Sequence, residues 1–436
     1  MTARAVGRRD VVDRIRRLAG RVVRTARRVH HPAEALSEWR ATRPPLVHID
    51  GPLGPPATGQ PYVLVAGWIA ADQPDHVADV CVVDGAGMPI DMVTVRRPDA
   101  EASHPERHVV GFQRLFPMDE VAATGGLRLR ATAGALRVDH ELLAPGSPGA
   151  ADAVAAAVAL RSAKARKAAR IRPLLRCPRC SGRELLDGRD GLTCARCAST
   201  YPVIDGRPLD FLPADVRDRF RISSTERISA WGYDERASAI LERHHGGIVL
   251  DCGCGLRPEY LDQVVNYEVV DYPTTDVLGV GQSLPFVDGA FDAVFSFAVL
   301  EHVTDPFRCA AELVRVLKPG GTLFAVVPFL QPFHGYPDHY FNMTESGLRQ
   351  LFDGELEIES CEVPAPGAPI FALSWMLNSY AQGLPPDVAA RFERMTVREL
   401  LAEPATLAGD DIVRRLAPEA IRELAATNAL VARKPC

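Results

Sequence analysis

At 436 residues the chain is longer than one hydrophobic core ordinarily fills, so two to four domains are expected. Its 47% apolar and 24% charged residues are those of a soluble globular protein, and a net charge of −5 argues against a general nucleic-acid binder. No apolar run approaches the roughly 20 residues that span a bilayer, and the arginine-crowded start lacks the apolar centre of a secretory signal, so a cytoplasmic protein is expected.

The first 44 residues read as a basic helix and a linker. Val11, Val12, Ile15, Leu18, Val22 and Val29 recur at roughly helical spacing, with Arg14, Arg17, Arg21, Arg24 and Arg28 between them. Such a helix either lies on an anionic membrane surface, making the protein peripheral to the inner membrane face, or packs on the body of the protein. From 45 to 147 the chain turns to short β-branched runs separated by Gly, Pro and Asp, the pattern of an all-β sandwich. The pairs Gly67–Trp68 and Gly111–Phe112, with Arg97–Asp99, resemble small β modules attached to glycan-modifying enzymes. Trp68 fits either a sugar-stacking face or the core. The Ala-rich, increasingly basic segment 148–172 predicts a helical connector.

Two CxxC pairs follow, Cys177–Cys180 and Cys194–Cys197. Two such knuckles this close together predict a zinc ribbon over residues 173–215, since each turn aims two thiolates at one point and tetrahedral Zn²⁺ takes four. YPVIDGRPLDFLP, from Tyr201 to Pro213, resembles the closing strands of ribbons that accompany or activate methyltransferases, and also the ribbon of certain ribosomal-RNA guanine methyltransferases. Four protein ligands leave no open position, so the resemblance implies a structural ion.

From residue 220 to the end the chain reads as α/β. IVLDCGCG predicts a strand ending near Asp251 and a turn through Gly253 and Gly255, followed by a helix. Asp271 comes twenty positions later and GQSLPF begins at Gly281. FDAVFSFAVLEHV and RVLKPGGTLFAVVPF complete the series. In this order they resemble the class I, Rossmann-like S-adenosylmethionine-dependent methyltransferases with signatures LDxGxG, LPF–FDxV, LEHV and RVLKPGG. That resemblance implies S-adenosyl-L-methionine as cofactor. Asp251, Cys252, Gly253, Cys254 and Gly255 would cradle its methionine part, Asp271 would hold the ribose, and Gly281, Gln282 and Ser283 would flank the adenine. Phe297 to His302 would face methyl transfer, and Lys318–Gly321 would be a structural turn. Two departures stand out: Leu256, Arg257 and Pro258 replace the third loop glycine, and Val280 replaces an aspartate near the adenine.

The Asn-Pro-Pro-Tyr clamp of base and glutamine methyltransferases is absent after strand four, where FSFAVLEH stands. A metal-assisted route has no obvious residues beyond the ribbon. O- or ring-N-methylation remains, in which the protein supplies alignment, desolvation and a base. The loop PFLQPFHGYPDHYFNMT offers His334 and His339 as bases, with His302 as a further candidate, and Tyr336, Tyr340 and Asn342 as acceptor contacts. HGYPDHYFNMT also resembles methyltransferases found among glycan-modifying enzymes, which implies a carbohydrate, glycolipid or small-molecule hydroxyl as acceptor. An RNA base is the second reading and a non-catalytic cofactor-binding scaffold the third. Residues 355–363 and 428–434 are expected to add an antiparallel edge pair to the sheet. A helical insertion over 368–426, carrying Trp375 and Tyr380, would cap the acceptor pocket.

Overall fold

The computed structural model describes residues 46–50, 61–72, 80–84, 87–90, 92–95, 97–133, 136–143, 150–188, 191–204, 207–222, 230–335, 338–430 and 433. The predicted basic helix at 8–29 lies outside the described residues, as does Tyr336. Among the described residues no helix is long and apolar enough to cross a membrane.

The N-terminal part holds strands β1 (Leu46–Ile49), β2 (Tyr62–Ala71), β3 (Val80–Asp84), β4 (Pro89–Ile90), β5 (Val93–Val95), β6 (His108–Pro117), β7 (Leu127–Ala133) and β8 (Leu136–Leu143). They form two four-stranded antiparallel sheets, ordered β1-β2-β6-β5 and β4-β3-β7-β8. The region is not all-β, because short helices at Pro98–Ser103 and Met118–Ala123 interrupt it. The second is held by burial: Met118 and Val121 are 1% and 2% exposed and pack with Ile69, Phe112 and Phe116. Alternation along β2 buries Val65, Gly67 and Ile69, which puts Trp68 on the opposite face. There its ring stacks on His48 at 5.2 Å and leans on His104 at 5.3 Å.

The segment expected to be a connector is a 22-residue helix, Ala150–Ile171, built into both parts of the chain. Ala150, Ala153 and Ala157 repeat every three or four residues and sink into the N-terminal core. Ile171, further along, belongs to the core of the C-terminal part. Lys167, 3% exposed, donates to Leu261 O (2.9 Å), Val264 O (2.6 Å) and the Asp276 carboxylate (3.0 Å). A buried ammonium is tolerated only when its three protons are placed in this way.

Strands β9 (Leu185–Gly188), β10 (Gly191–Cys194) and β11 (Thr200–Pro202) make a three-stranded antiparallel sheet around the cysteines. Beyond it come β12 (Leu209–Asp210), β13 (Val249–Cys252), β14 (Val264–Glu268), β15 (Val277–Leu278), β16 (Phe291–Phe297) and β17 (Leu317–Val326). These form a six-stranded sheet in the order β12-β15-β14-β13-β16-β17, parallel at every pairing. The near-continuous burial of Val249–Cys252 and Val264–Tyr267 is what a sheet covered on both faces requires.

Two expectations fail here. The antiparallel edge pair does not form, since neither 355–363 nor 428–430 is strand, and the added edge strand is the parallel β12 instead. Leu430 is 90% exposed, so the supposed partner has no face to bury. Nor does a helix follow the glycine turn: residues 256–263 hold an isolated bridge from Leu256 to Ala230, a bend and a turn. Pro258 disfavours helical geometry at Arg257, and the helix Ala150–Ile171 packs against that stretch through Lys167.

Candidate active site

A cavity of 1240 Å³ opens beyond the carboxyl ends of β13, β14, β16 and β17, where open α/β sheets place their ligands. One wall is the glycine turn. Gly253 has φ +79°, and a Cβ there would stand 2.2 Å from Val299 Cγ2, so only glycine lets this turn pass close to β16. Gly255 N–H donates to Glu268 Oε2 at 2.8 Å and Val269 N–H to Oε1 at 2.7 Å. Burial pushes the Glu268 carboxyl above its ordinary range, and these amide donors oppose the rise.

Glu268, the last residue of β14, is the strand-end acid that lines the cavity beside the glycine turn. Asp271 is displaced from this role. It lies past the strand end, 39% exposed at its side chain, in an ion pair with Arg207 at 3.0 Å, and lines a separate 390 Å³ cleft. Counting twenty positions from Asp251 pointed to Asp271; the apolar run Val264–Tyr267 ending at Glu268 was the better signal.

Cys252, Gly253, Gly255, Gly281, Gln282, Phe297, His302, His334 and Trp375 all line the cavity. Asp251, Cys254 and Ser283 stand behind it. Ser283 Oγ donates to Pro178 O at 2.8 Å, tying this loop to the ribbon. Asp251 is fully buried; its Oδ2 accepts from Tyr233 OH and from Arg257 Nε, both at 2.7 Å. Arg257 does line the cavity. Its guanidinium sits 4.5 Å from the Tyr233 ring centre and donates from Nη1 to Trp231 O at 3.0 Å. Among the described residues Asp251 Oδ1 and Arg257 Nη2 have no partner; Arg257 forms part of the cavity wall and Asp251 anchors it from behind. The residue that broke the glycine pattern is therefore part of the site.

At the other end of the cavity three histidines cluster. Ring centres lie 5.3 Å apart for His302–His334, 5.6 Å for His302–His339 and 4.3 Å for His334–His339, and Trp375 leans on His334 at 5.1 Å. His302 Nδ1 donates to Asp338 O at 2.8 Å and His334 Nδ1 to Pro332 O at 2.7 Å, so in both rings Nε2 carries the lone pair. His339 has the opposite tautomer, its Nδ1 accepting from His334 N–H at 3.2 Å, and it backs the cluster without lining the cavity. Glu301, fully buried, has neither carboxylate oxygen bonded among the described residues. Burial pushes it up to about 8 and pushes His302 down to about 4.

The other expected acceptor contacts lie elsewhere. Tyr340 does not line the cavity, and Asn342 is exposed, donating to Gln331 O at 3.0 Å. Tyr380 stacks on Phe392 at 4.9 Å and donates to Ile412 O, inside the helices that follow Pro369. Those helices bring unforeseen residues to the cavity. The helix Pro369–Gln382 has no buried residue, and beside the expected Trp375 it presents Phe371 and Leu373 to the opening.

In the ribbon the four sulfur atoms lie within 4.8 Å of one another and none is in a disulfide. Cys177–Cys197 and Cys180–Cys194 are 3.6 and 3.5 Å apart, close to the roughly 3.8 Å edge of a tetrahedron with bonds of about 2.3 Å to zinc. The two knuckles repeat one another: Ser181 N donates to Cys177 O and Ala198 N to Cys194 O, and both Ser181 and Ala198 have φ near +60°. The residues present fit a structural zinc ion.

Residues 250–325 match the family described as a methyltransferase domain. An uncharacterized methyltransferase of Mycobacterium sp. (strain JLS) is 47% identical over 57 residues, 13% of this chain and 23% of that protein. One from Mycobacteroides abscessus is 36% identical over 87 residues, 20% of this chain and 30% of that protein. The chain thus spans about a quarter of the length of the curated relatives it matches. A solved complex between the Haloferax volcanii Trm112 methyltransferase activator and a methyltransferase superposes on 30% of this chain and 75% of that one, at 18% identity and a TM-score of 0.21.

Proposed function

We propose that the chain is an S-adenosylmethionine-dependent methyltransferase that O-methylates a hydroxyl on a carbohydrate or glycolipid. The observation that carries this reading is one continuous cavity with two chemically distinct ends. At one end the glycine turn, Glu268, Arg257 and Gly281–Gln282 suit the cofactor: a carboxylate for ribose hydroxyls, a cationic side chain held by Asp251 for the carboxylate of an amino-acid tail, and a glycine beside a ring. At the other end His302 and His334 line the cavity where the acceptor oxygen would be activated, with Glu301 buried behind them. The sulfonium supplies the electrophile, so the protein's part is alignment and proton removal. In the ribbon, Cys177, Cys180, Cys194 and Cys197 would hold a structural zinc ion.

A lipid-linked acceptor is supported by the rim. Phe329, Leu330, Ile370, Phe371 and Leu373 are each more than half exposed beside the opening. A basic N-terminal segment at an anionic membrane fits the same picture. The RNA reading loses support, because the basic stretch expected to hold RNA is partly committed within the fold: Lys167 is buried against Asp276, and Arg170 and Arg172 donate to Gly247 O and Asp187.

The test is methyl transfer from labelled S-adenosylmethionine to fractionated cell extract. Alkali-stable label in the lipid or polysaccharide fraction is expected. Label in RNA, or turnover that falls steeply with salt, would favour the base-methylation reading. Cofactor binding without turnover on any fraction would leave only the scaffold.

A further inference from the structure

We propose that Glu301, His302 and His334 form a binding site for one divalent first-row transition-metal ion at the acceptor end of the cavity. The inference rests on the methyltransferase reading only for the identity of the second ligand, the acceptor oxygen. Sequence reading found no metal-assisted route outside the ribbon, because the third member lies thirty-two positions beyond His302 and only the fold brings it back.

The geometry is that of a prepared first coordination sphere. One ligand atom from each of the three residues lies within 4.8 Å of the others. His302 Nε2 and Glu301 Oε1 are 3.7 Å apart, too far for a hydrogen bond but near the spacing of two ligands on one ion. Both imidazoles donate Nδ1–H to backbone carbonyls, of Asp338 and Pro332, which holds each ring and leaves Nε2 as the nitrogen able to ligate. That is the outer bonding metal-ligating histidines almost always have. Gly335 lets the loop close over the site: its φ is +99°, and a Cβ there would stand 2.1 Å from His302 Cε1.

The second observation is independent of the histidines. Glu301 is 0% exposed, and both its oxygens lack a partner among the described residues. A carboxyl group left so is costly unless something is bound to it. Two imidazoles and one carboxylate suit Zn²⁺, Mn²⁺ or Fe²⁺, and three protein ligands leave open positions on the cavity side. There the acceptor oxygen, bound to the ion, loses its proton to solvent and attacks the methyl carbon. The carbon–sulfur bond breaks with its electron pair passing to sulfur, leaving a neutral thioether.

The experiment uses the full chain with its ribbon intact. Mn²⁺ is titrated in and the free ion followed by electron paramagnetic resonance, since a thiolate ribbon does not select Mn²⁺; zinc content is measured in parallel. One Mn²⁺ per chain is expected, with affinity reduced by about tenfold or more in Glu301→Gln and in His334→Ala, and largely retained in Glu301→Asp. Zinc should fall from two ions per chain to one in the same two variants. Unchanged thermal unfolding of Glu301→Gln shows that the loss is local. Wild-type protein that takes up no Mn²⁺ and holds no second zinc ion overturns the proposal, as does binding that survives both substitutions. Calorimetric binding of S-adenosylmethionine is the separate check: cofactor bound without the metal sinks the ion alone, and metal bound without the cofactor sinks the methyltransferase reading alone.

Discussion

Arg257 and Glu268 show how a site can be visible in a sequence and still be assigned to the wrong side chains. The turn through Gly253 and Gly255 was legible, because backbone that must approach a ligand with φ near +79° needs glycine. Arg257 read only as a break in the glycine pattern. In the fold its guanidinium is 1% exposed and bonded to Asp251, so the irregularity is the feature that fixes the turn. Arg257→Ala should therefore destabilise the chain by about 3–5 kcal/mol, because it strands a fully buried carboxylate. Chemical unfolding measures this; a change below about 1 kcal/mol would mean that the pair is not buried in solution. The histidines were also legible as residue types, but which nitrogen each presents depends on carbonyls at Pro332 and Asp338 that no spacing rule reveals.

At the scale of elements, the parallel strands were readable from continuous apolar runs, and the ribbon from its two knuckles. The predicted edge pair failed because alternation in residues 355–363 describes a strand only if a neighbour offers free backbone groups. Residues 428–430 stay exposed and are not strand, so no neighbour lies beside 355–363 to pair with. The ribbon was expected to be a separate module, yet Cys177, Cys194 and Tyr201 share one buried cluster with Leu250, Val265 and Val294 of the main sheet. Losing the metal should then weaken the whole C-terminal part. Cys194→Ser is expected to abolish zinc binding in the ribbon and to lower the thermal midpoint of the main transition by several degrees, in keeping with a loss of about 2–4 kcal/mol. Metal analysis with calorimetry decides it. A zinc-free variant whose main transition is unmoved would restore the picture of an independent module.

At the scale of the molecule, composition predicted the helix Ala150–Ile171 but not the cores it is built into. Its alanines and lysines describe a solvated connector as well as they describe a helix with small residues sunk in one core and a lysine in another. Only the tertiary partners Leu261, Val264 and Asp276 distinguish the two. Lys167→Met should destabilise the C-terminal part by about 3–5 kcal/mol, since Asp276 is left as a buried charge, and unfolding followed by fluorescence would show it. A neutral effect would return the helix to the role of linker. The same helix holds the start of β14 through Val264 O, and the last residue of that strand, Glu268, is the acid that reaches the cavity beside the glycine turn.

That acid is the point at which the account is most directly tested. Isothermal calorimetry of S-adenosylmethionine with the full chain, with Glu268→Ala and with Asp271→Ala separates the strand-end carboxylate from the one chosen by spacing. The wild type should bind. Glu268→Ala should lose about 1.5–3 kcal/mol, roughly ten- to a hundredfold or more in affinity, as expected when a charged hydrogen-bond partner is removed. Asp271→Ala, whose carboxylate faces Arg207 outside the cavity, should bind as the wild type does. A wild-type chain that does not bind the cofactor, or a Glu268→Ala variant that binds it undiminished while Asp271→Ala fails, would contradict the account.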